Sequence, residues 1–440
     1  MEKVIKIAGE KVITRREFLK AAGVASAAAI VGRYSFLVRP AQAAPARTVT
    51  MMHWSHFVPA YNPELERQVT EWAAKKGVSA RIDFIAYRDI PAKLAAEAES
   101  RTGHDIVQLR VFDAALYRRH LVPLDDVAQA LERESGPWLP LARYLAFLEN
   151  RWYAIPWYYW SFPATINTEH WSRIGMGSAN VAALDWNTFL EAAERLHRQG
   201  TPVGMAISQT FDANDALYPL LWSFGGRTVD EKGNVVIDSG ETAAAVEYAK
   251  RLFRFMPREV LGWDDAANNR FILAGVGSWT PNAPSIWAVA KLQRLPIADK
   301  IDHVPMPRGP KGRFRSASTL ALGIWGFSQN VELAKDLIRH LLRPENYARQ
   351  VEASMGYNQP FLRKLSQNPY WRNQPVLRFY EPARELLTVP GWPGPAGEGA
   401  QLVYTAFIVP LMFAKAVTGE MSTTEAIRWA DQELRARYRR

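Results

Sequence analysis

The densest run of chemically capable side chains is residues 151–171, RWYAIPWYYWSFPATINTEHW. Seven of the eleven residues 152–162 are aromatic, and Pro156 and Pro163 bracket the middle of the run. Each proline removes a backbone donor and biases the residue before it to extended geometry. Two readings stand: an extended crossing segment whose aromatics partly line an inter-domain cleft, or a buried strand with a large aromatic payload. His53 and His56 flank Trp54 at a spacing a metal could use, yet no third ligand lies at matching distance, so no metal site is expected. Ligand hydrogen bonding or strand-end packing suits those imidazoles better. Arg110 carries a planar fork suited to a carboxylate or phosphate, or a surface pairing with Asp113. The aromatic stretches hold no carboxylate pair, and Glu149 and Glu169 sit outside the crossing, so no catalytic residue is assigned.

These side chains must be positioned by elements, and the front of the chain shows them. Residues 49–54 read as a buried strand. A helix follows, opened by Asn62-Pro63 as cap and first-turn pair and stopped by Gly77. Ala80, Ile82 and Phe84 alternate as a second strand, Asp89-Ile90-Pro91 opens a helix, and residues 105–109 form a third strand before a helix near 113–119. The alternation predicts a parallel sheet covered by helices. Ligands bind such sheets beyond the carboxyl ends of the strands, which puts Trp54, His56, Tyr87 and Arg110 at the ligand edge.

Further on, Asn187 is read as the cap of a helix ending at Gly200. Residues 203–207 read as a strand, 215–224 as a helix and 228–237 as a hairpin. Ser239 caps a long helix. The bend 305–312 leads to a strand at 320–327, with helices at 331–342 and 345–352. Ser422-Thr-Thr-Glu425 is a capping box for the last helix. The uncharged run 402–414 is too short to span a bilayer and reads as a buried core helix.

The chain has 440 residues, Lys+Arg 54 against Asp+Glu 44, and no cysteine. Disulfides, thiolate metal sites, cysteine-ligated iron–sulfur clusters, c-type haem attachment and a diacyl lipid anchor are therefore excluded. Residues 1–44 resemble a twin-arginine export signal, with Arg15-Arg16-Glu17-Phe18-Leu19-Lys20 ahead of a short apolar run and cleavage expected after Ala43 or Ala46. They carry eight Lys/Arg and three Asp/Glu, half of the net charge of +10. The scattered remainder argues against nucleic-acid binding. The length left calls for two domains.

Several stretches in fixed order resemble the periplasmic solute-binding proteins of ABC importers, in the group that includes maltodextrin- and other sugar-binding proteins. They are Gly103-His-Asp-Ile-Val-Gln108 continuing to Leu121-Val-Pro-Leu-Asp-Asp126, Trp152-Tyr-Ala-Ile-Pro156 with Ile166-Asn-Thr168, Asp185-Trp-Asn-Thr-Phe189, Phe271-Ile-Leu-Ala-Gly275 running to Trp279, the bend 305–312, and Gly356-Tyr-Asn-Gln-Pro360. The resemblance implies an α/β, two-lobed periplasmic-binding-protein fold with a ligand cleft between the lobes and several hinge crossings. Residues 47–158 and 306–342 would form the N-terminal lobe, and 163–303 and 343–440 the C-terminal lobe. Crossings are expected near 156–163, 302–306 and 342.

It also implies a periplasmic monomer without cofactor that hands a small solute to the transmembrane subunits of a permease by hinge bending. Sugar rings present apolar faces and hydroxyl edges, so aromatic platforms with polar partners suit them. The candidates, among sixteen tryptophans, are Trp157, Tyr158 and Trp160 at the crossing, Trp54, and Trp222 and Trp392 beside glycine or proline loops. Trp279 stands where the family places a stacking aromatic, and Tyr357 and Asn358 lie in a loop through which its second lobe reaches ligand. Were Arg110 to face the cleft, an acidic sugar becomes attractive. The alternatives are a periplasmic carbohydrate-active enzyme, which needs two carboxylates across a cleft, a binding protein for a non-sugar solute, and a chemoreceptor-coupled module.

Overall fold

The apolar segments at the front of the chain build a sheet. Strand β1 (Thr48–Trp54) pairs in parallel with β2 (Ser79–Ile85) along its whole length and with β3 (Ile106–Arg110) on its other side. Helices α1 (Tyr61–Lys76) and α2 (Ile90–Ser100) make the crossovers, and α3 (Asp113–Tyr117) and α4 (Asp125–Ser135) follow β3. The computed structural model describes residues 48–380 and 388–439. The export signal read in residues 1–44 and its cleavage sites lie outside the described residues.

After a short hairpin of β4 (Phe147–Leu148) and β5 (Arg151–Trp152), the aromatic run becomes β6 (Ile155–Ser161), buried along its entire length. Both readings of this run hold in part. It is a core strand of the first sheet, and its continuation past Phe162-Pro163 crosses to β7 (Ala164–Asn167) of a second sheet. That sheet is antiparallel, ordered β8 (Trp279–Pro281), β7, β9 (Ile301–Val304). The chain recrosses over residues 305–316 into β10 (Ala317–Ile324), which inserts between β6 and β3, antiparallel to both. With β11 (Gln359–Pro360) the first sheet has the order β11-β6-β10-β3-β1-β2. A strand returning from the opposite lobe enters at the cleft edge and runs back through the sheet. That explains why the parallel sheet expected from the β-α alternation is mixed.

The second lobe is built from α5 (Trp186–Arg198), α6 (Phe211–Phe224), α7 (Gly240–Phe253) and α8 (Ala267–Leu273). Helices α9 (Val331–Leu341) and α10 (Pro344–Ala353) follow β10. The expected division at residue 342/343 is not where the chain leaves the first sheet. Gln350 on α10 accepts from Trp157 Nε1 at 3.0 Å and donates to Gln68 of α1 at 2.8 Å, and β11 pairs with β6. Residues 344–371 thus pack with the first lobe, Leu139 N donating to the Phe361 carbonyl and Trp371 Nε1 to that of Gly356, both at 2.8 Å, and the third crossing lies between residues 371 and 376. Beyond it His303 Nδ1 donates to the Val376 carbonyl at 2.9 Å and Arg378 pairs with Asp302 at 2.8 Å.

The apolar run 402–414 forms two helices, α11 (Glu398–Thr405) and α12 (Ile408–Thr418), broken at Phe407 with φ 53°. They pack their buried faces beside α13 (Thr423–Tyr438). Two caps differ from expectation. Asn62 lies inside α1 and its Oδ1 accepts from His56 N at 3.1 Å, and α5 is capped by Asp185, whose carboxylate accepts from Thr188 N at 2.8 Å. Residues 203–207 and 228–237 contribute only the isolated bridges Val203–Trp279 and Val229–Val235, not strands.

Candidate functional site

Trp54 ends β1 at the carboxyl edge of the parallel strands, and the site grows from it. Its indole stacks on Trp160 of β6, with centroids 5.6 Å apart, and meets Tyr87 edge-on at 5.2 Å. Tyr357, in the loop before β11, closes on Trp160 at 5.4 Å and on His56 at 4.8 Å. Trp54 Nε1 donates to the Tyr158 hydroxyl at 2.8 Å, and that hydroxyl lies 3.1 Å from His53 Nε2. His53 Nδ1 donates to the Trp54 carbonyl at 2.6 Å, which fixes the tautomer and leaves Nε2 to accept from Tyr158. His56 is fixed the other way round: Nδ1 accepts from Val58 N at 2.9 Å and Nε2 donates to Asn358 Oδ1 at 3.1 Å. Burial holds both imidazoles neutral, with their pKa values lowered to about 3. These histidines orient the aromatic wall. Among the described residues no group of three or more His, Cys, Asp and Glu is placed to hold a metal ion.

At the end of β3 the backbone turns at Val111 with φ 25°, a conformation that costs a β-branched residue about 1–3 kcal/mol. The turn leaves Arg110 on the sheet face shared with Gln108. Arg110 is 1% exposed; its Nε is 3.3 Å from Asp113 Oδ2, and its guanidinium carbon lies 4.6 Å from the Phe211 ring and 5.6 Å from that of Tyr87. Phe211 is the first residue of α6, so the opposite lobe supplies that ring. The same helix brings two carboxyls, Asp212 and Asp215, and the loop before α8 brings a third, Asp265; the sequence reading singled out none of them. Asp215 accepts from Ser316 Oγ and Ser318 Oγ, both at 2.5 Å. Asp212 accepts from Asn268 at 2.6 Å, and Asp265 accepts from the Asp212 amide at 3.1 Å. Burial raises Asp215 to about 7, pushes Asp212 well above the usual carboxylate range with help from Asp265, and raises Asp265 as well. The signal available in sequence was Thr210-Phe-Asp-Ala-Asn-Asp215, acids behind a helix cap. Their nearness to the first sheet is a product of the crossings.

A model of bacterial extracellular solute-binding proteins matches residues 59–348, more than half of the chain. The chain belongs to that family. A Deinococcus radiodurans protein described as a probable ABC transporter-binding protein is 24% identical over 71% of this chain and 77% of its own length. Among solved structures, the maltose-bound T. maritima MalE3 superposes with a TM-score of 0.76 at 21% identity, covering 88% of this chain and 99% of that one. A sugar transporter protein of Arthrobacter chlorophenolicus with bound laminaribiose gives 0.77 at 15% identity, covering 88% and 98%. At these identities the likeness is one of fold: the mixed α/β, two-lobed architecture of periplasmic binding proteins.

Within this solute-binding fold the twelve residues singled out from sequence divide. Trp54, His56, Tyr87, Arg110, Tyr158, Trp160, Tyr357 and Asn358 converge at the carboxyl edge of the first sheet, although all are buried. Tyr357 and Asn358 reach it from the first sheet's own loop, where a second-lobe approach was expected. Trp157 is not part of the stacked wall: it is the residue skipped where the β6–β10 pairing shifts, its ring meets Tyr158 at 5.1 Å and His53 at 5.3 Å, and its indole donates to Gln350 of α10. Trp279 is a core residue of the second sheet, packed on Phe189 at 4.7 Å, and stacks on no member of the wall. Trp222 and Trp392 form a separate group with Phe314, at centroid distances of 6.0–6.3 Å. Trp222 is eleven residues along α6 from Phe211, roughly 16 Å at 1.5 Å per residue, which puts it beyond the site. A surface groove of about 740 Å³ beside Arg118, Tyr144 and Glu398 shares no residue with the aromatic wall.

Proposed function

We propose that this solute-binding protein captures a carbohydrate or related polyol between its lobes and delivers it to the transmembrane subunits of an ABC importer. The observation that carries the reading is the aromatic wall of Trp54, Trp160, Tyr87 and Tyr357 at the carboxyl edge of the sheet, faced across the cleft by Phe211. Flat rings complement the apolar faces of a pyranose, and hydrogen-bonding groups beside them suit its hydroxyl edge. Tyr87 Oη and Gln108 Nε2 are buried there without a hydrogen-bond partner among the described residues. The relatives bound to maltose and laminaribiose support the class of solute.

The lobes meet through Tyr87–Phe211 and through Asp215 with Ser316 and Ser318, so entry of a solute needs hinge opening along the crossings. Export by the twin-arginine route to the periplasm, and action as a monomer, belong to the same proposal. The test is a thermal-shift screen of the exported protein against mono- and oligosaccharides, polyols, amino acids and short peptides. A ligand binding only the native state at a hundred times its Kd stabilises it by about 2.7 kcal/mol. A shift with carbohydrates, abolished by Trp160→Ala, supports the reading. Shifts with amino acids or peptides alone refute it.

A further inference from the structure

The polar groups at the lobe junction are unequally satisfied, and the inequality specifies charge. The three carboxyls of the second lobe are committed: Asp212 to Asn268, Asp265 to the first amides of α6, and Asp215 to two serines. The donors of the first lobe are not. Arg110 Nη1 and Nη2, and Gln108 Nε2 two residues earlier on the same face, are buried and have no hydrogen-bond partner among the described residues, and neither has the Tyr87 hydroxyl. Leaving such donors dry costs free energy, so the group that belongs against them is rich in acceptors.

The guanidinium is also held in place for a partner. Asp113 fixes it at Nε and is itself braced by Gln401 Nε2 at 2.7 Å from the second lobe. The rings of Tyr87 and Phe211 pack against it from the two lobes. What remains free is the pair of terminal amino groups, which bind two oxygens of one carboxylate or phosphoryl group side by side.

Resting on the carbohydrate reading, we propose that the solute is anionic, a uronate or a sugar phosphate, with its charged group held by Arg110 Nη1 and Nη2 and the sugar ring against Trp54 and Trp160. The charged group makes the specificity and the rings hold the remainder. A cationic amino sugar would find the three carboxyls already occupied and would meet Arg110.

The test is calorimetric titration of the full protein with galacturonate, digalacturonate, glucuronate and glucose 6-phosphate, beside galactose, glucose, maltose and glucosamine. The proposal expects at least one anionic sugar to bind a hundredfold or more tighter than its neutral counterpart. Whether the uronate or the phosphate arm responds names the group. Arg110→Lys keeps the charge that balances Asp113 and loses the fork, and should weaken the anionic sugar at least tenfold. Tyr87→Phe, which keeps the ring, should weaken it severalfold. Circular dichroism and melting curves confirm that both variants are folded.

Neutral sugars binding as tightly as the acids, glucosamine binding best, or both folded variants retaining wild-type affinity for the acid would each overturn this inference while leaving the carbohydrate reading in place. A panel in which no sugar of any charge binds overturns both.

Discussion

Asp215→Asn isolates one carboxyl that joins the two lobes. Asp215 is 1% exposed, sits on α6 of the second lobe, and accepts from Ser316 and Ser318 at the first sheet, beside the crossing. Burial raises its pKa to about 7, against about 3.9 in an unfolded chain. A raised carboxyl keeps its proton in the folded state at pH values where the unfolded chain has released it. Its contribution is therefore most favourable below pH 4 and is lost as pH rises towards 7. The penalty is about 1–2 kcal/mol at pH 5 and about 4 kcal/mol at pH 8.

Asparagine does not titrate, and its amide nitrogen cannot accept from a serine, which imposes a pH-independent cost of about 1–3 kcal/mol. Urea unfolding of both proteins at pH 5, 6, 7 and 8 gives the difference in stability. Groups titrating alike in both proteins cancel from it. The variant should gain on wild type by about 2–3 kcal/mol from pH 5 to pH 8. A difference flat to within about 0.5 kcal/mol would refute the reasoning, because it would mean that Asp215 has an ordinary pKa and that α6 is not seated on β10 in solution.

Trp160→Phe should weaken solute binding roughly tenfold, an effect of about 1.4 kcal/mol, by thinning the stacked wall. Trp279→Phe should lower the melting temperature and leave Kd unchanged, since that indole packs on Phe189; titration and melting of both proteins separate the roles. Gly309→Ala should cost about 1–3 kcal/mol in urea unfolding, because a β-carbon there would lie 2.3 Å from the Ser223 carbonyl oxygen, a backbone atom with no freedom to swing aside. His104 lies 2.6 Å from Glu97 and 2.9 Å from Asp83; burial works against its protonated form, the two carboxylates outweigh it, and its pKa is raised. Its stabilisation is complete below the unfolded value of about 6.5 and is lost as pH rises through the folded one, so His104→Gln should cost about 1–3 kcal/mol at pH 6 and less at pH 8. A gap that widens with pH would contradict this.

The sequence by itself determined the elements whose signals are local. The apolar run of β1, the period-two pattern of β2, the Ser239 cap, the Ser422–Glu425 capping box and the strand-helix alternation needed only neighbours in the chain. The edge rule put Trp54, His56, Tyr87 and Arg110 at the carboxyl edge of the sheet, where the structure also has them, because the carboxyl end of a parallel strand is a property of topology. Tertiary structure decided the rest. The pairing of β6 with β10 skips Trp157 where the register shifts between Leu320 and Ala321, so Trp160 reached the wall while the Trp157 indole turned to Gln350. Trp279 looked like a ligand platform until Phe189 covered it. Asp212, Asp215 and Asp265 carry no sequence signal stronger than a capped helix; they matter because two crossings of the chain press α6 against β10, and burial there, not residue type, gives a carboxyl its unusual chemistry.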